Sequence, residues 1–395
     1  MNGKHHWLLP EGIEEILPPD AARLEACCRR VLDLFQSWGY ELVMPPLVEY
    51  LESLLTGTGE DLDLQTFKVT DQLTGRMMGI RADTTPQVAR IDAHYLKRDV
   101  PTRLCYLGQV LHTRPATQGG TRTPLQLGAE LYGHAGPESD AEILSLMLRA
   151  LQVAGVKDPH VDLGHVGIYR GLVGGLQLSE GQEAELFDAL QRKSVSELES
   201  AIRRWSIPAP QADGLVQLVD LNGDAGILGR ARGVLSRTGR EVTGCLDALE
   251  RIAALTRQHV KEAPLFFDLA ELRGYHYHTG MMFSAYVPAE GQAVARGGRY
   301  DHIGAAFGRP RPATGFSTDL KLLFALSPPA APRAAGIFAP HSEVPGLFAA
   351  VEGLRRQGET VVTELPGQRG NAAAMGCDRE LALEHGRWIV RKLNM

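Results

Sequence analysis

Gly108-Gln109-Val110-Leu111-His112-Thr113-Arg114-Pro115, running on to Gln126 and Glu130, is one half of the pattern on which the fold turns. Ala313-Thr314-Gly315-Phe316-Ser317-Thr318-Asp319-Leu320-Lys321-Leu322-Leu323 is the other. Between them lie Arg273-Gly274-Tyr275-His276-Tyr277-His278-Thr279-Gly280 and Arg296-Gly297-Gly298-Arg299-Tyr300-Asp301. Residues 125 to 131 read as a strand, so Gln126 and Glu130 share a face at period two, either as a pocket wall or as solvated polar groups. His112 and Arg114 share a face by the same rule, as a solvated pair or as an anion-binding or partner surface. In the segment from Arg273 to Gly280, alternation places His276 and His278 on one face and Tyr275 and Tyr277 on the other. A metal would need at least a third ligand, and none stands nearby. Gly297-Gly298 is a tight turn, or a place where backbone comes close to a small ligand.

The rest of the chain is that of a globular protein. It has 395 residues, 44% hydrophobic and 22% charged, enough for two or three domains. No run of about 18 apolar residues is present, and the N-terminus lacks the apolar stretch of a secretory signal, so a cytoplasmic protein with no membrane association is expected. The five cysteines include no Cys-x-x-Cys pair, which argues against a disulfide framework or a zinc site. A formal net charge of −6 does not exclude a basic patch, yet no Lys/Arg-rich run is visible and nucleic acid is not the expected partner.

Leu24, Cys28, Val31, Phe35 and Trp38 recur at helical spacing up to Gly39, and a short strand, Glu41-Leu42-Val43-Met44, then stops at Pro45-Pro46. Residues 64 to 81 have the alternation of a hairpin. Residues 140 to 154 form a helix ended by Gly155, and 167 to 260 are mostly helical. Strands return at 265–269, 280–286 and 293–296. Ser327-Pro328-Pro329-Ala330-Ala331-Pro332 is a linker. Beyond it the pattern reads β-α-β-α-β, with the second helix at 371–385. The expected organisation is a core over 1–326 with a helical insertion at about 167–260, the linker 327–332 and a small α/β domain at 333–395.

In order and spacing, the four quoted stretches resemble the class II signature motifs and the two histidine-recognition motifs of histidyl-tRNA synthetases. That resemblance implies an α+β fold, an antiparallel sheet flanked by helices. In the synthetases the first stretch reads Gly-Pro-Met-Phe-Arg-Tyr-Glu-Arg-Pro, and its arginine grips the α-phosphate of ATP; His112 stands there, with Arg114 at the glutamate. The second ends Gly-Leu-Glu-Arg-Leu, where the arginine holds the γ-phosphate; Leu322 stands there. Adenylation rests on positioning and neutralising phosphate charge. An unperturbed histidine is mostly neutral at pH 7 and leucine has no donor, so both clamps are lost.

On the amino-acid side the resemblance assigns more that is kept. Arg81-Ala82-Asp83-Thr84-Thr85 resembles the synthetase stretch Arg-Pro-Glu-Gly-Thr that meets the substrate amino group, with an acid retained at Asp83. Gln126 and Glu130 match residues that contact the amino group and imidazole. Arg273 matches the arginine on the substrate carboxylate, and Tyr277 and His278 occupy a Tyr-Tyr pair, His278 replacing the second tyrosine. A histidine-binding remnant pocket of Asp83, Thr85, Gln126, Glu130, Arg273, Tyr277 and His278 is thereby implied, with no catalytic residue, cofactor or metal.

A synthetase relative that keeps the amino-acid side and loses the ATP side is identified as a member of the ATP phosphoribosyltransferase regulatory subunit family, on the Gly-Gln-Val-Leu-His-Thr-Arg-Pro and Arg-Gly-Tyr-His-Tyr-His-Thr-Gly stretches. Such a chain has no synthetase activity. It joins a short-form catalytic ATP phosphoribosyltransferase subunit, usually as four plus four chains, for the first step of histidine biosynthesis and its feedback inhibition by histidine. The helix and strand before Pro45 are by propensity an ordinary helix-strand unit; their resemblance to class II motif 1 implies self-association as a dimer, and the short tail argues against tRNA. The alternative is a histidyl-tRNA synthetase with divergent motifs.

Overall fold

A computed structural model describes residues 7–57, 60–117, 120–275, 277–328 and 335–393. It divides into two compact units, Met1–Pro328 and Pro329–Met395. Residues 329–332 of the Pro/Ala-rich stretch, and His276, lie outside the described residues.

The first unit is α+β. Among its described residues, nine strands form one sheet in the order Glu41–Leu42, Thr102–Gln109, Leu125–Tyr132, Ala313–Asp319, Ala295–Arg299, Met281–Tyr286, His160–His165, Leu265–Asp268, Asn222–Gly223. The six strands from Thr102–Gln109 to His160–His165 are antiparallel throughout. Two pairs toward the ends are parallel, Glu41–Leu42 with Thr102–Gln109 and His160–His165 with Leu265–Asp268. The hairpin Phe67–Thr70 and Met77–Ile80 joins Val48–Tyr50 in a separate three-stranded sheet.

Helix Asp20–Ser37 lays Leu24, Cys27, Val31 and Phe35 against the large sheet, with Phe35 edge-on to Phe316 at 6.0 Å. Cys28, expected on this stripe, is only half-buried, because Cys27 falls between Leu24 and Val31 at the three- and four-residue steps that follow one helix face. Helix Pro137–Ala154 runs through the core and stops at Gly155, whose φ of 89° ends the helix in the left-handed conformation.

Six helices, Val166–Val173, Glu180–Gln191, Val195–Trp205, Ala209–Leu218, Gly226–Leu235 and Arg240–His259, separate the strands His160–His165 and Leu265–Asp268. Their buried leucines, among them Leu190, Leu215 and Leu249, belong to the same hydrophobic core as Leu127 and Leu163 of the sheet. The helical segment therefore packs as part of the unit and extends its core.

The second unit has a four-stranded sheet in the order Val361–Thr363, Gly336–Ala339, Cys377–Glu384, Arg387–Lys392, with helix Leu347–Arg356 packed on it through Leu347 and Val351. The helix expected at 371–385 is replaced by a strand over most of its length. Leu381 packs with Ile337 and Ala339 there and Cys377 with Phe338 and Ala372, and His385 and Gly386, at φ 47° and 75°, turn the chain back into an antiparallel partner. Two successive residues at positive φ favour a hairpin over a continuing helix.

Candidate functional site

The sheet register assembles a site from segments far apart in sequence. Pairing sets Glu130 opposite Gly315, and Gly315 opposite Gly298. Side chains on one rung of a sheet share a face, so Glu130 projects beside two positions with no side chain. A β-carbon on Gly315 would collide with the Glu130 carboxylate, and one on Gly298 would lie 2.9 Å from His278 Nδ1. Gly297 and Gly298 are thus part of the strand Ala295–Arg299, and the tight-turn reading of this pair is corrected: the strand is hydrogen-bonded on both sides.

Around these glycines is a cavity of about 150 Å³ lined by Asp83, Thr85, Glu130, Tyr277, His278, Arg296 and Tyr300, floored by Gly297, Gly298 and Gly315. Glu130 is buried; it accepts hydrogen bonds from the Tyr300 hydroxyl and, at 3.2 Å, from the Tyr106 hydroxyl. Burial pushes its carboxyl up to about 8, the tyrosine hydroxyl contact opposing this and nearby Asp83 adding to it. The group is an acceptor that a positively charged ligand would ionise.

Thr85 connects to this network through a 3.1 Å contact between its Oγ1 and the Tyr106 hydroxyl. Asp83 Oδ1 accepts from Thr85 N at 3.0 Å and from Gln126 Nε2 at 2.7 Å. The ring of Tyr277 stacks on that of Tyr300 with centroids 5.1 Å apart. His278 Nδ1 lies 3.3 Å from the Arg299 carbonyl, which can only accept, so Nδ1 carries the proton. Burial lowers its ring to about 4, so it is neutral at pH 7.

Three expectations change. Segment 273–280 is a turn, so period-two alternation does not apply: Tyr277 faces the cavity next to His278, while Tyr275 packs on Tyr169 and Phe187 of the helical segment. Arg273 does not line the cavity. Its Nη1 donates to the Tyr286 hydroxyl at 2.6 Å and its Nε is 3.8 Å from Glu271 Oε2, in a separate depression with His160, Asp162, Lys193 and Asp268. Gln126 meets the cavity only through Asp83, since its own side chain lines a neighbouring one.

That neighbour, about 230 Å³, holds both His112 and Leu322 in its lining, with Arg296 as its lysine- or arginine-type cation among the described residues and Asp319 as its carboxylate. His112 Nε2 is 2.9 Å from the Ala82 carbonyl, so the donor it has is already used. Arg114 is exposed and does not line the cavity, because the strand ends at Gln109 and the chain beyond is irregular; the expected His112–Arg114 face does not form.

Residues not singled out earlier complete the site. Tyr106, Tyr300 and Arg296 line or brace it. The signal for Tyr106 is its place opposite Gly128, a large residue facing a small one across paired strands. Among the described residues, no group of three or more His, Cys, Asp or Glu side chains is arranged to hold a metal, and no helix is long and apolar enough to cross a membrane.

Comparison with known proteins bears on this geometry. A family profile for histidyl-tRNA synthetase matches residues 12–323, and one for the ATP phosphoribosyltransferase subunit HisZ C-terminal domain matches residues 334–391. An ATP phosphoribosyltransferase regulatory subunit of Thioalkalivibrio sulfidiphilus is 58% identical over 395 residues, covering 100% of both chains. One of Pseudomonas paraeruginosa is 56% identical over 389 residues, 98% of each. A solved structure from Bacillus halodurans, described as an ATP phosphoribosyltransferase regulatory subunit/histidyl-tRNA synthetase, is 28% identical with a TM-score of 0.81, covering 94% of this chain and 96% of that one. Histidyl-tRNA synthetase from Nostoc, at 17% identity and a TM-score of 0.78 over 98% and 97% of the two chains, shares the fold.

Proposed function

This chain belongs to the family of ATP phosphoribosyltransferase regulatory subunits, and from that membership we propose how it works: as a non-catalytic partner of a short-form ATP phosphoribosyltransferase subunit in the cytoplasm. It is required for the first step of histidine biosynthesis and for feedback inhibition of that step by histidine. The observation that carries the non-catalytic reading is the second cavity. Its lining holds a leucine and an already bonded histidine, the residues that the motif resemblance sets at the two phosphate-gripping arginines of a synthetase.

Histidine is the effector, and Asp83, Thr85, Glu130, Tyr277 and His278 are its contacts, with Gln126 holding Asp83. Glu130 and Asp83 supply acceptors for an ammonium or imidazole N–H, and His278 stays neutral beside them. The regulatory effect is linkage: histidine binding and assembly bias each other reciprocally by about 1 to 3 kcal/mol. Four regulatory and four catalytic chains make up the complex. Self-association through the helix Asp20–Ser37 and the edge strand Glu41–Leu42 is supported by the exposure of Leu42 (44%), Met44 (81%) and Leu47 (46%) beside that strand.

The test is reconstitution. Purified with a short-form catalytic subunit, the chain should raise phosphoribosyl transfer and make it histidine-sensitive, while by itself it should give no pyrophosphate exchange with histidine and ATP. Exchange by the chain alone would establish a synthetase and end this reading.

A further inference from the structure

An amino acid presents a carboxylate as well as nitrogen donors, and a cation at that end of a site holds it by a charge-assisted hydrogen bond. This inference rests on the effector reading above. The cation implied by family resemblance, Arg273, is engaged with Tyr286 and Glu271 in a different depression. The cavity at Glu130 has a single arginine or lysine among its described lining residues, Arg296.

Register places Arg296 correctly for the task. It pairs with Ser317 on one side and Ser284 on the other, and Ser317 pairs with Gly128, all on one rung. Two residues along each strand, past the rung of Gly297, Phe316 and Ala129, stand Gly298, Gly315 and Glu130, so Arg296 and Glu130 project from the same face. Two strand spacings and one two-residue rise separate their α-carbons by about 12 Å, which an arginine, a glutamate and one small amino acid between them fill. The serines and glycines beside Arg296 leave its side chain room above the sheet. Its guanidinium is exposed and makes no hydrogen bond or ion pair with the described residues, in contrast to Arg299, which is buried against Asp140. An arginine fork is suited to a carboxylate held bidentately.

We propose that Arg296 anchors the carboxylate of the amino-acid effector, in place of Arg273. The ligand then lies with its nitrogen-bearing end toward Glu130 and Asp83 and its acid end toward Arg296, at the border with the second cavity that Arg296 also lines.

Calorimetric titration of the full chain with L-histidine and with histamine, which lacks the carboxylate, tests this. Arg296→Gln should weaken L-histidine by roughly ten- to a hundredfold and leave histamine affinity unchanged; Arg296→Lys should fall between. Arg273→Gln should leave both ligands as in the parent. Unchanged histidine affinity in Arg296→Gln, or an equal loss of histamine, overturns the assignment of Arg296 while the pocket reading stands. A parent chain that takes up no histidine, alone or with its catalytic partner, overturns both. Circular dichroism of each variant separates lost binding from lost folding, and Arg296→Lys supplies a readable second variant if Arg296→Gln does not fold.

Discussion

Glu130 and Gly315 face one another across the strands Leu125–Tyr132 and Ala313–Asp319, and the side chain absent at Gly315 is the space in which the Glu130 carboxylate meets the Tyr300 hydroxyl. A single methyl group at this place has nowhere to go, since backbone of two paired strands holds it and the displaced group is a buried acid. Gly315→Ala should therefore cost about 1–3 kcal/mol of stability and lose histidine binding, read by urea denaturation and calorimetry. Parent-like affinity in a folded Gly315→Ala chain would separate Glu130 from the binding site.

The raised carboxyl of Glu130 makes stability pH-dependent with a definite sign. Between its ordinary value of 4.5 and its folded value of about 8, the native state holds a proton that the unfolded chain has released. Stability from this group is present at low pH and is lost as pH rises through that window. Denaturation midpoints of the parent should fall from about pH 5 to about pH 8 more steeply than those of Glu130→Gln. The same proton should leave when a cationic ligand binds, so the observed heat of histidine binding near neutral pH should vary with the ionisation heat of the buffer. A buffer-independent heat and parallel pH profiles would show that Glu130 is already ionised.

Arg299 and Asp140 form an ion pair with 8% and 6% of their side chains exposed, and Arg299 also reaches the His134 carbonyl at 3.1 Å and Ser139 Oγ at 2.9 Å. Removing one member leaves the other charged and buried. Arg299→Ala should cost about 3–5 kcal/mol, and Arg299→Lys should not recover it, because an ammonium cannot reproduce the planar fork. Urea titration measures both. Because the Arg299 carbonyl orients His278, any folded variant should also bind histidine more weakly.

The cavity lined by His112 and Leu322 has Arg296 as its one arginine or lysine among the described residues, fewer cations than a triphosphate calls for. Introducing more should change what binds. The double variant His112→Arg, Leu322→Arg should take up ATP with magnesium at least about tenfold more tightly than the parent, measured by equilibrium dialysis. No gain in a folded double variant would mean that the cavity lacks more than its clamps.

Much of this arrangement is legible in the chain itself. Motif order identifies the fold and the family, and Asp83, Thr85, Glu130, Tyr277 and His278 do come together around one cavity. The misreadings have a common cause. Period-two reasoning holds within a strand and fails where the strand has ended, as at His112 and Arg114, or never began, as at Arg273 to Gly280. In the second unit, Cys377 to Glu384 contains leucine, alanine, arginine and glutamate, good helix formers, yet pairs as a strand because neighbouring strands on both sides satisfy its backbone.

The sequence by itself determined which chemical groups this protein owns: acids and tyrosines that meet around one cavity, and no arginine at either of the positions matching the synthetase phosphate clamps. It determined the glycines too, whose missing side chains admit Glu130. Only the tertiary structure decided which arginine stands over the cavity. Arg273 is carried away by a turn whose Tyr275 packs against the helical segment, while Arg296 is set at the rim of the cavity by pairing with strands distant in the chain. Side-chain direction follows from register, and register is set by contacts between segments that no local pattern records.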